Sequence, residues 1–188
     1  MLKEENFNNE YVLTVTKKMA VAARTAPKAR GIDNLVIRIC DKKDIQQISN
    51  QLIQDFEATD KQESFLLRDS QNVLSASYVL LIATKNRILG LNCGYCGFAT
   101  CNLKEQTNKN IPCFFNSEDL GVAIGSACSI AADSRVDSRV MFSVGRAATR
   151  LNMVENCTHC IAISLSATAK NPFFDRPSFV MPYVQCDK

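Results

Sequence analysis

Four cysteines crowded into one short segment constrain this chain more than any other feature of its sequence. Cys93, Cys96 and Cys101 lie in a single stretch, and Cys113 follows shortly after it. Thiolates are soft ligands, and four of them converging on one point suit an iron–sulfur cluster or a zinc ion. We therefore expect residues 89–115 to form a metal-binding loop that stands apart from the regular layers of the fold.

Two glycines support this interpretation of the loop. Gly94 and Gly97 each follow a cysteine directly. Glycine allows the backbone to bend tightly and to point its amide N–H groups at sulfur. Such donors offset the negative charge of the thiolates and tune the potential of a cluster. The pattern predicts a loop that wraps around a small inorganic centre.

The spacing of the cysteines favours a cluster over zinc. A structural zinc site usually has two close pairs of ligands set well apart, whereas here three ligands share one loop and the fourth is remote. That arrangement is closer to ferredoxin loops, although it equals neither the bacterial nor the plant spacing. We expect an iron–sulfur cluster, with [4Fe–4S] favoured over [2Fe–2S] and zinc as the alternative.

The fourth ligand is the least constrained of the set, because Cys157 and Cys160 compete with Cys113 for that position. The pair can be interpreted as a redox dithiol, as half of a metal site, or as a plain loop that leads into a buried strand. The sequence leaves its role open.

Composition narrows the class of protein. The chain has nine cysteines but only one histidine, His159, so a mechanism that needs two histidines is excluded. The N-terminus lacks an apolar leader, and no apolar run is long enough to span a bilayer. We expect a cytoplasmic protein with reduced thiols and no membrane association. A net charge of +3 does not indicate nucleic acid as a partner.

Apolar periodicity and capping residues predict a mixed α and β chain that forms one domain over residues 1–188. We expect helices at 10–23, 44–57, 116–132 and 138–151, and strands at 34–40, 77–84 and 161–165. The strand over 77–84 should be buried on both faces.

Two of these helices carry specific expectations. The helix over 116–132 is small or apolar almost all round, which indicates burial, including burial against a second subunit. The helix over 138–151, with Asp137 as its N-cap, would place three arginines on one face. These are Arg139, Arg146 and Arg150.

A group of basic residues crowds the turn after the first helix. Arg24, Lys28 and Arg30 surround Pro27 and precede Gly31. Cations at a bend of the chain suit a phosphate group. A solvated charged loop is the alternative.

Four stretches resemble a prokaryotic family of uncharacterised ferredoxin-domain-containing proteins. They are ARTAPKARGIDN at 23–34, LNCGYCGF at 91–98, FNSEDLGVAIGS at 115–126 and NPFFDR at 171–176. The resemblance implies iron–sulfur binding through the cysteine loop. It implies no particular reaction.

A weaker resemblance is to FMN-dependent nitroreductases. The ARTAPKA turn is similar, and so is the later order of a buried small-residue helix, a second helix, a strand and a loop that carries Arg176. The resemblance implies an α+β class, a nitroreductase-like layered α/β sandwich with the cysteine-rich loop as an insertion. It also implies a homodimer with FMN between subunits. The family's early basic-Ser-basic motif is not evident, so either Arg24, Lys28 and Arg30 take its place at the flavin phosphate or flavin is not bound.

Three functional hypotheses follow. The first is an iron–sulfur redox protein, acting in electron transfer or as a reductase, with an unknown substrate and redox partner. The second is a non-enzymatic domain in which zinc or a cluster only staples the loop. The third is an FMN-dependent reductase whose cysteines are secondary. No catalytic residue can be predicted under any of them.

Overall fold

The computed structural model describes residues 1, 3–59, 62–108 and 111–174. Four strands form one antiparallel sheet in the order β1–β2–β4–β3. They are β1 (Leu35–Cys40), β2 (Tyr78–Lys85), β3 (Asp137–Met141) and β4 (Cys157–Ser166). The helices are α1 (Glu4–Thr25), α2 (Lys42–Ala58), α3 (Ser64–Leu74), α4 (Cys101–Thr107), α5 (Phe114–Asp133) and α6 (Phe142–Arg150).

The sheet is covered by helices on both faces. Helices α1 and α5 pack on one face, and the core there includes Met19, Ile82 and Ala127. Helices α2, α3 and α6 cover the other face, around residues such as Leu52 and Leu81. The central strand β2 is buried from residue 79 to residue 84, as its continuous apolar run predicts. The predicted α+β sandwich is confirmed.

The chain between residues 137 and 151 differs from the prediction. Residues 137–141 form the edge strand β3, which pairs Ser138 with Leu165 and Val140 with Ile163. Helix α6 begins only at Phe142. The apolar pattern of so short a segment is compatible with a helix and with a strand. The segment forms a strand because the edge of β4 is available for pairing. Asp137 is therefore the first residue of a strand and not a helix cap.

The single arginine face predicted for this helix is wrong for the same reason. Arg139 lies in β3, and it pairs with Asp69 on α3. Arg146 and Arg150 lie in α6 and pair with Glu63 and with Asp55. All three guanidinium groups tie elements of one face of the sheet together.

The other differences are two helices that were not predicted and shifted helix boundaries. The unpredicted helices are α3 and α4, and α1 starts six residues before the predicted position. The N-cap of α2 is Asp41, whose side chain accepts from the backbone of Lys43 and of Asp44, while the Asp44 side chain accepts from the Asp41 N–H. Asp44, which the sequence suggests as the cap, is therefore the second half of a capping box.

Helix α5 is only half buried within one chain. Ala123, Ala127 and Ala131 face the sheet and α1, while Val122 and Gly125 are exposed on the opposite side. A homodimer that covers this exposed face stays a prediction. Among the described residues, no helix combines the length and the apolar character that crossing a bilayer would require.

A candidate metal centre in the cysteine loop

The cysteine loop leaves the sheet at the end of β2 and returns to it through α5. Asn116, in the first turn of α5, holds the two ends of this loop together. Its fully buried amide donates to the carbonyls of Lys85 (3.1 Å) and Arg87 (2.9 Å), and it accepts from the Asn34 side chain (3.1 Å). One side chain thus joins the start of the loop, the start of β1 and the helix that follows Cys113.

The basic turn holds the loop from a second side. The Arg30 guanidinium donates to the carbonyl of Leu89 at 2.6 Å. The backbone N–H of Ala29 donates to the Asp119 carboxylate on α5 at 2.9 Å. The turn therefore bridges the loop and α5.

The two glycines of the loop have the conformations that their position requires. Gly94 and Gly97 have φ values of +76° and +86°, a region in which side chains are strained. The N–H of Gly97 donates to the carbonyl of Gly94 at 2.9 Å and closes a tight turn around Cys96. The predicted bend at the first cysteine pair is present.

Aromatic contacts bring this turn to the start of α5. The Tyr95 ring packs edge-on against Phe114, with centroids 5.1 Å apart, and lies 6.3 Å from Phe115. Tyr95 directly precedes Cys96 and follows Cys93 by two residues, and Phe114 directly follows Cys113, the N-cap of α5. The contact therefore brings the first cysteine pair and the remote cysteine into one region.

The third cysteine is tied to the same turn. The backbone N–H of Asn92 lies 3.4 Å from the Cys101 sulfur, and the Asn92 side chain accepts from the Cys101 N–H at 2.8 Å. Asn92 adjoins Cys93, so this two-way contact holds Cys93 and Cys101 close along the loop. An N–H directed at sulfur is the kind of donor that stabilises a ligating thiolate.

These contacts gather the four cysteines without forming a preassembled cage. Cys93, Cys96 and Cys101 are half-buried and Cys113 is buried, all as free thiols. Within the described residues, no group of three or more His, Cys, Asp or Glu side chains converges as metal ligands would. Four soft donors, with the Asn92 N–H at the Cys101 sulfur, fit a cluster by their chemistry. To bind one, the four side chains would have to turn toward a common point.

A buried cation on the helix that begins at Cys101 also fits an anionic centre. Lys104 lies on α4, three residues after Cys101, and only 1% of its surface is exposed. Its ammonium has no hydrogen-bond partner among the described residues. Nothing in the sequence segment CNLKEQT, which forms α4, indicates that this lysine is buried rather than solvated.

The second cysteine pair lies elsewhere in the fold. A bulge opposite Thr84 places Cys157 on the same face of β4 as Cys160, and both belong to the core beneath α2 and α6. Helix α5, which Cys113 caps, packs on the opposite face of the sheet. Cys157 and Cys160 are therefore poorly placed to compete with Cys113.

Burial makes the second pair poor ligands as well. Burial, together with the nearby Cys157 and Cys40 thiols, raises the pKa of Cys160 to about 12. The pKa of Cys157 is also raised by burial. Because the thiolate is the form that binds metal, thiols held protonated at neutral pH favour a packing role.

His159 contacts the helix that follows the cysteine loop. Its Nε2 lies 3.2 Å from the Ser117 hydroxyl in the first turn of α5. Burial lowers the pKa of His159, which favours the neutral ring at pH 7. The histidine therefore joins β4 to α5.

A cleft opens beside the third cysteine. It has a volume of about 580 Å³ and is lined by Arg87 and Gly90 on one side and by Cys101 and Glu105 on the other. The cleft gives solvent-borne molecules a route to the region of the Cys101 sulfur.

The three basic residues of the turn already have protein partners. The Lys28 ammonium donates to the carbonyls of Ala23 (3.1 Å), Arg24 (2.7 Å) and Ala26 (2.7 Å), and an ammonium has three donors. Arg24 pairs with Asp33 and Arg30 with the Leu89 carbonyl. As arranged here, they do not converge on one phosphate, and their role in flavin binding stays a prediction. Arg176 lies outside the described residues.

The Arg24–Asp33 pair affects the pKa of the Asp33 carboxyl group. Partial burial raises the pKa of Asp33, but hydrogen bonds from the Arg24 guanidinium and the Leu35 N–H outweigh it, so that the pKa lies below its ordinary value. This carboxylate stays ionised at neutral pH and fixes the start of β1.

Comparison with solved structures shows that the fold is that of the nitroreductases. A nitroreductase with bound FMN from Bacteroides fragilis superposes with a TM-score of 0.58 at 11% identity, over 83% of this chain and 77% of that one. Nitroreductase A from Vibrio parahaemolyticus gives a TM-score of 0.53 at 10% identity, over 85% of this chain. The present chain spans only 60% of that enzyme's length.

Sequence comparison shows the family. An uncharacterised protein of Archaeoglobus fulgidus is 34% identical over 183 residues, which is 94% of this chain and 97% of that protein. Residues 109–176 match a family described as an uncharacterised protein containing a ferredoxin domain. The chain belongs to this family of ferredoxin-domain-containing proteins, as its motifs predict. The matched span includes Cys113 and starts after Cys101.

Proposed function

We propose that this chain is an iron–sulfur redox protein whose cluster is held by the cysteine loop. The proposed ligands are Cys93, Cys96, Cys101 and Cys113, and a [4Fe–4S] cluster is favoured. The observation that carries the proposal is the pair of contacts, Tyr95 on Phe114 and Asn92 on Cys101, which join the chain segments that carry the four cysteines. The description of the family as containing a ferredoxin domain also supports iron–sulfur chemistry.

A bound cluster would supply one-electron transfer. The protein would hold the cluster, stabilise its charge and control access to it. The turn closed by Gly94 and Gly97 would bend the chain around that cluster. The N–H of Asn92 would stabilise the Cys101 thiolate, and the N-terminus of α5 would favour negative charge at Cys113. The cleft at Cys101 would admit the electron donor or acceptor.

Anaerobic reconstitution with iron and sulfide tests this proposal. The protein should acquire the broad visible absorption of a cluster, which bleaches on reduction with dithionite. A colourless protein that binds one zinc and no sulfide would instead support a purely structural metal site. Removal of the zinc with a chelator should then disorder the loop.

An FMN-dependent reductase is the second candidate, because the fold is that of flavoproteins such as the nitroreductase with bound FMN. The basic turn does not add to this case, since the donors of Lys28 are all in use. A titration of the purified protein with FMN decides it. If flavin is bound, fluorescence should be quenched to saturation near one FMN per chain. Fluorescence that stays linear with added FMN would remove the candidate.

We also propose a homodimer. The two subunits would meet through the exposed face of α5, on which Val122 and Gly125 lie. A Cβ added at Gly121 or at Gly125 would meet nothing within 4 Å, so this face leaves room for a closely approaching helix. The redox partner and the cytoplasmic location stay predictions.

A further inference from the structure

Lys104 is the most unusual charged residue in the described part of the chain. Its ammonium is buried and has no hydrogen-bond partner there, and no carboxylate pairs with it among the described residues. A buried charge without a partner costs several kcal/mol relative to one in water. Glu105, the adjacent acid on α4, is exposed on the cleft and does not pair with it.

The position of this cation relates it to the cysteines. Cys101 and Lys104 are three residues apart on one helix, so their side chains lie on neighbouring positions of the same helical face. Cys101 is also the cysteine whose sulfur receives the Asn92 N–H. Lys104 thus lies about one helical turn along α4 from a proposed ligand.

We propose that Lys104 is the internal counter-cation of the cysteine-loop cluster and that it raises the cluster's reduction potential. This inference rests on the function proposed above. A cluster ligated by four thiolates is an anion, which would supply the partner that Lys104 lacks. Lys104 ligates nothing and acts through charge, so it is a tuning residue and not a catalytic one.

The electron balance of the step fixes the sign of the effect. One electron passes from an external one-electron donor to the cluster, whose charge becomes more negative by one, and no bond forms or breaks. A nearby positive charge stabilises the reduced cluster more than the oxidised one, most strongly where water is excluded. Removal of the charge should therefore favour the oxidised form.

The test compares three variants of the full chain after anaerobic reconstitution. Lys104→Met removes the charge at similar size, Lys104→Arg keeps the charge, and Lys43→Met makes the same change at an exposed position on α2. Iron and sulfide content is measured first, and the midpoint potential is then measured by optical titration with dithionite and redox mediators. For Lys104→Met we expect about a tenfold lower ratio of reduced to oxidised cluster at a fixed potential. For a one-electron couple this equals a shift of about 59 mV to lower potential.

The controls separate charge from packing. Lys104→Arg and Lys43→Met should keep the wild-type potential, and the shift in Lys104→Met should persist at high salt because a buried charge is poorly screened. Loss of the cluster in Lys104→Met but not in Lys104→Arg would also support the proposal. Equal loss in both would overturn it in favour of packing.

The two proposals fail in different ways. A Lys104→Met protein with a full cluster and an unchanged potential would overturn the role of Lys104 and leave the iron–sulfur function standing. A wild-type protein that acquires neither iron nor sulfide would remove both.

Discussion

Replacing Cys96 with serine is expected to reduce the iron and sulfide content of the reconstituted protein to background. Cys96 lies in the tight turn that Gly94 and Gly97 close, and no other described cysteine lies in that turn. A serine hydroxyl is a hard and weakly acidic donor, and it is a poor substitute for a thiolate on iron. The measurement is iron and acid-labile sulfide per chain after anaerobic reconstitution.

The other cysteines supply the matched controls. Cys128→Ser changes a thiol on α5, outside the loop, and should keep the full cluster content. Cys160→Ser should also keep it, because Cys160 is buried on the opposite face of the sheet from α5. Cys113→Ser should lose the cluster. The ligand set would be wrong if Cys113→Ser kept a full cluster while Cys160→Ser lost it.

The second large effect is expected at Asn116. Asn116→Ala leaves the carbonyls of Lys85 and Arg87 and the amide of Asn34 without their partner. A buried polar group without a partner costs about 1–3 kcal/mol, and partial access of water to the two carbonyls lowers their share. We expect a loss of about 3 kcal/mol in the free energy of unfolding by urea. Because the loop loses its tie to α5, the cluster content per folded chain should fall as well.

Gly145→Ala separates loop positioning from general stability. A Cβ at Gly145 would lie 2.1 Å from the Cys160 carbonyl oxygen and 2.6 Å from its carbon, so α6 must move away from β4. Overpacking of this kind costs about 1–3 kcal/mol or more. The site of the clash is on the sheet face away from α5, so a folded Gly145→Ala chain should bind its cluster normally. Equal loss of cluster in both variants would show that Asn116 acts through stability alone.

The central strands and the longest helices could be predicted from sequence, because their burial patterns are unambiguous. The continuous apolar run over residues 77–84 has the composition of a strand covered on both faces, and β2 is one. Gly94 and Gly97 could be assigned to a tight bend because glycine accepts positive φ most readily, and both have it.

The features that could not be predicted depend on contacts between distant segments. Residues 137–141 form a strand because the edge of β4 is free to pair with them, and local periodicity does not show this. Cys157 shares a face with Cys160 only because of the bulge opposite Thr84. Asn116 has the sequence context of a helix cap, yet it lies inside the first turn and bonds to two other segments, the start of β1 and the end of β2. The burial of Lys104 is likewise not indicated by the sequence of α4.

Iron and acid-labile sulfide, quantified on wild-type protein purified and reconstituted without oxygen, test the central claim most directly. The account predicts iron and sulfide in equal amounts, about four of each per chain if the favoured [4Fe–4S] cluster is bound. One zinc per chain with no sulfide, or protein that binds neither metal nor sulfide, would contradict it.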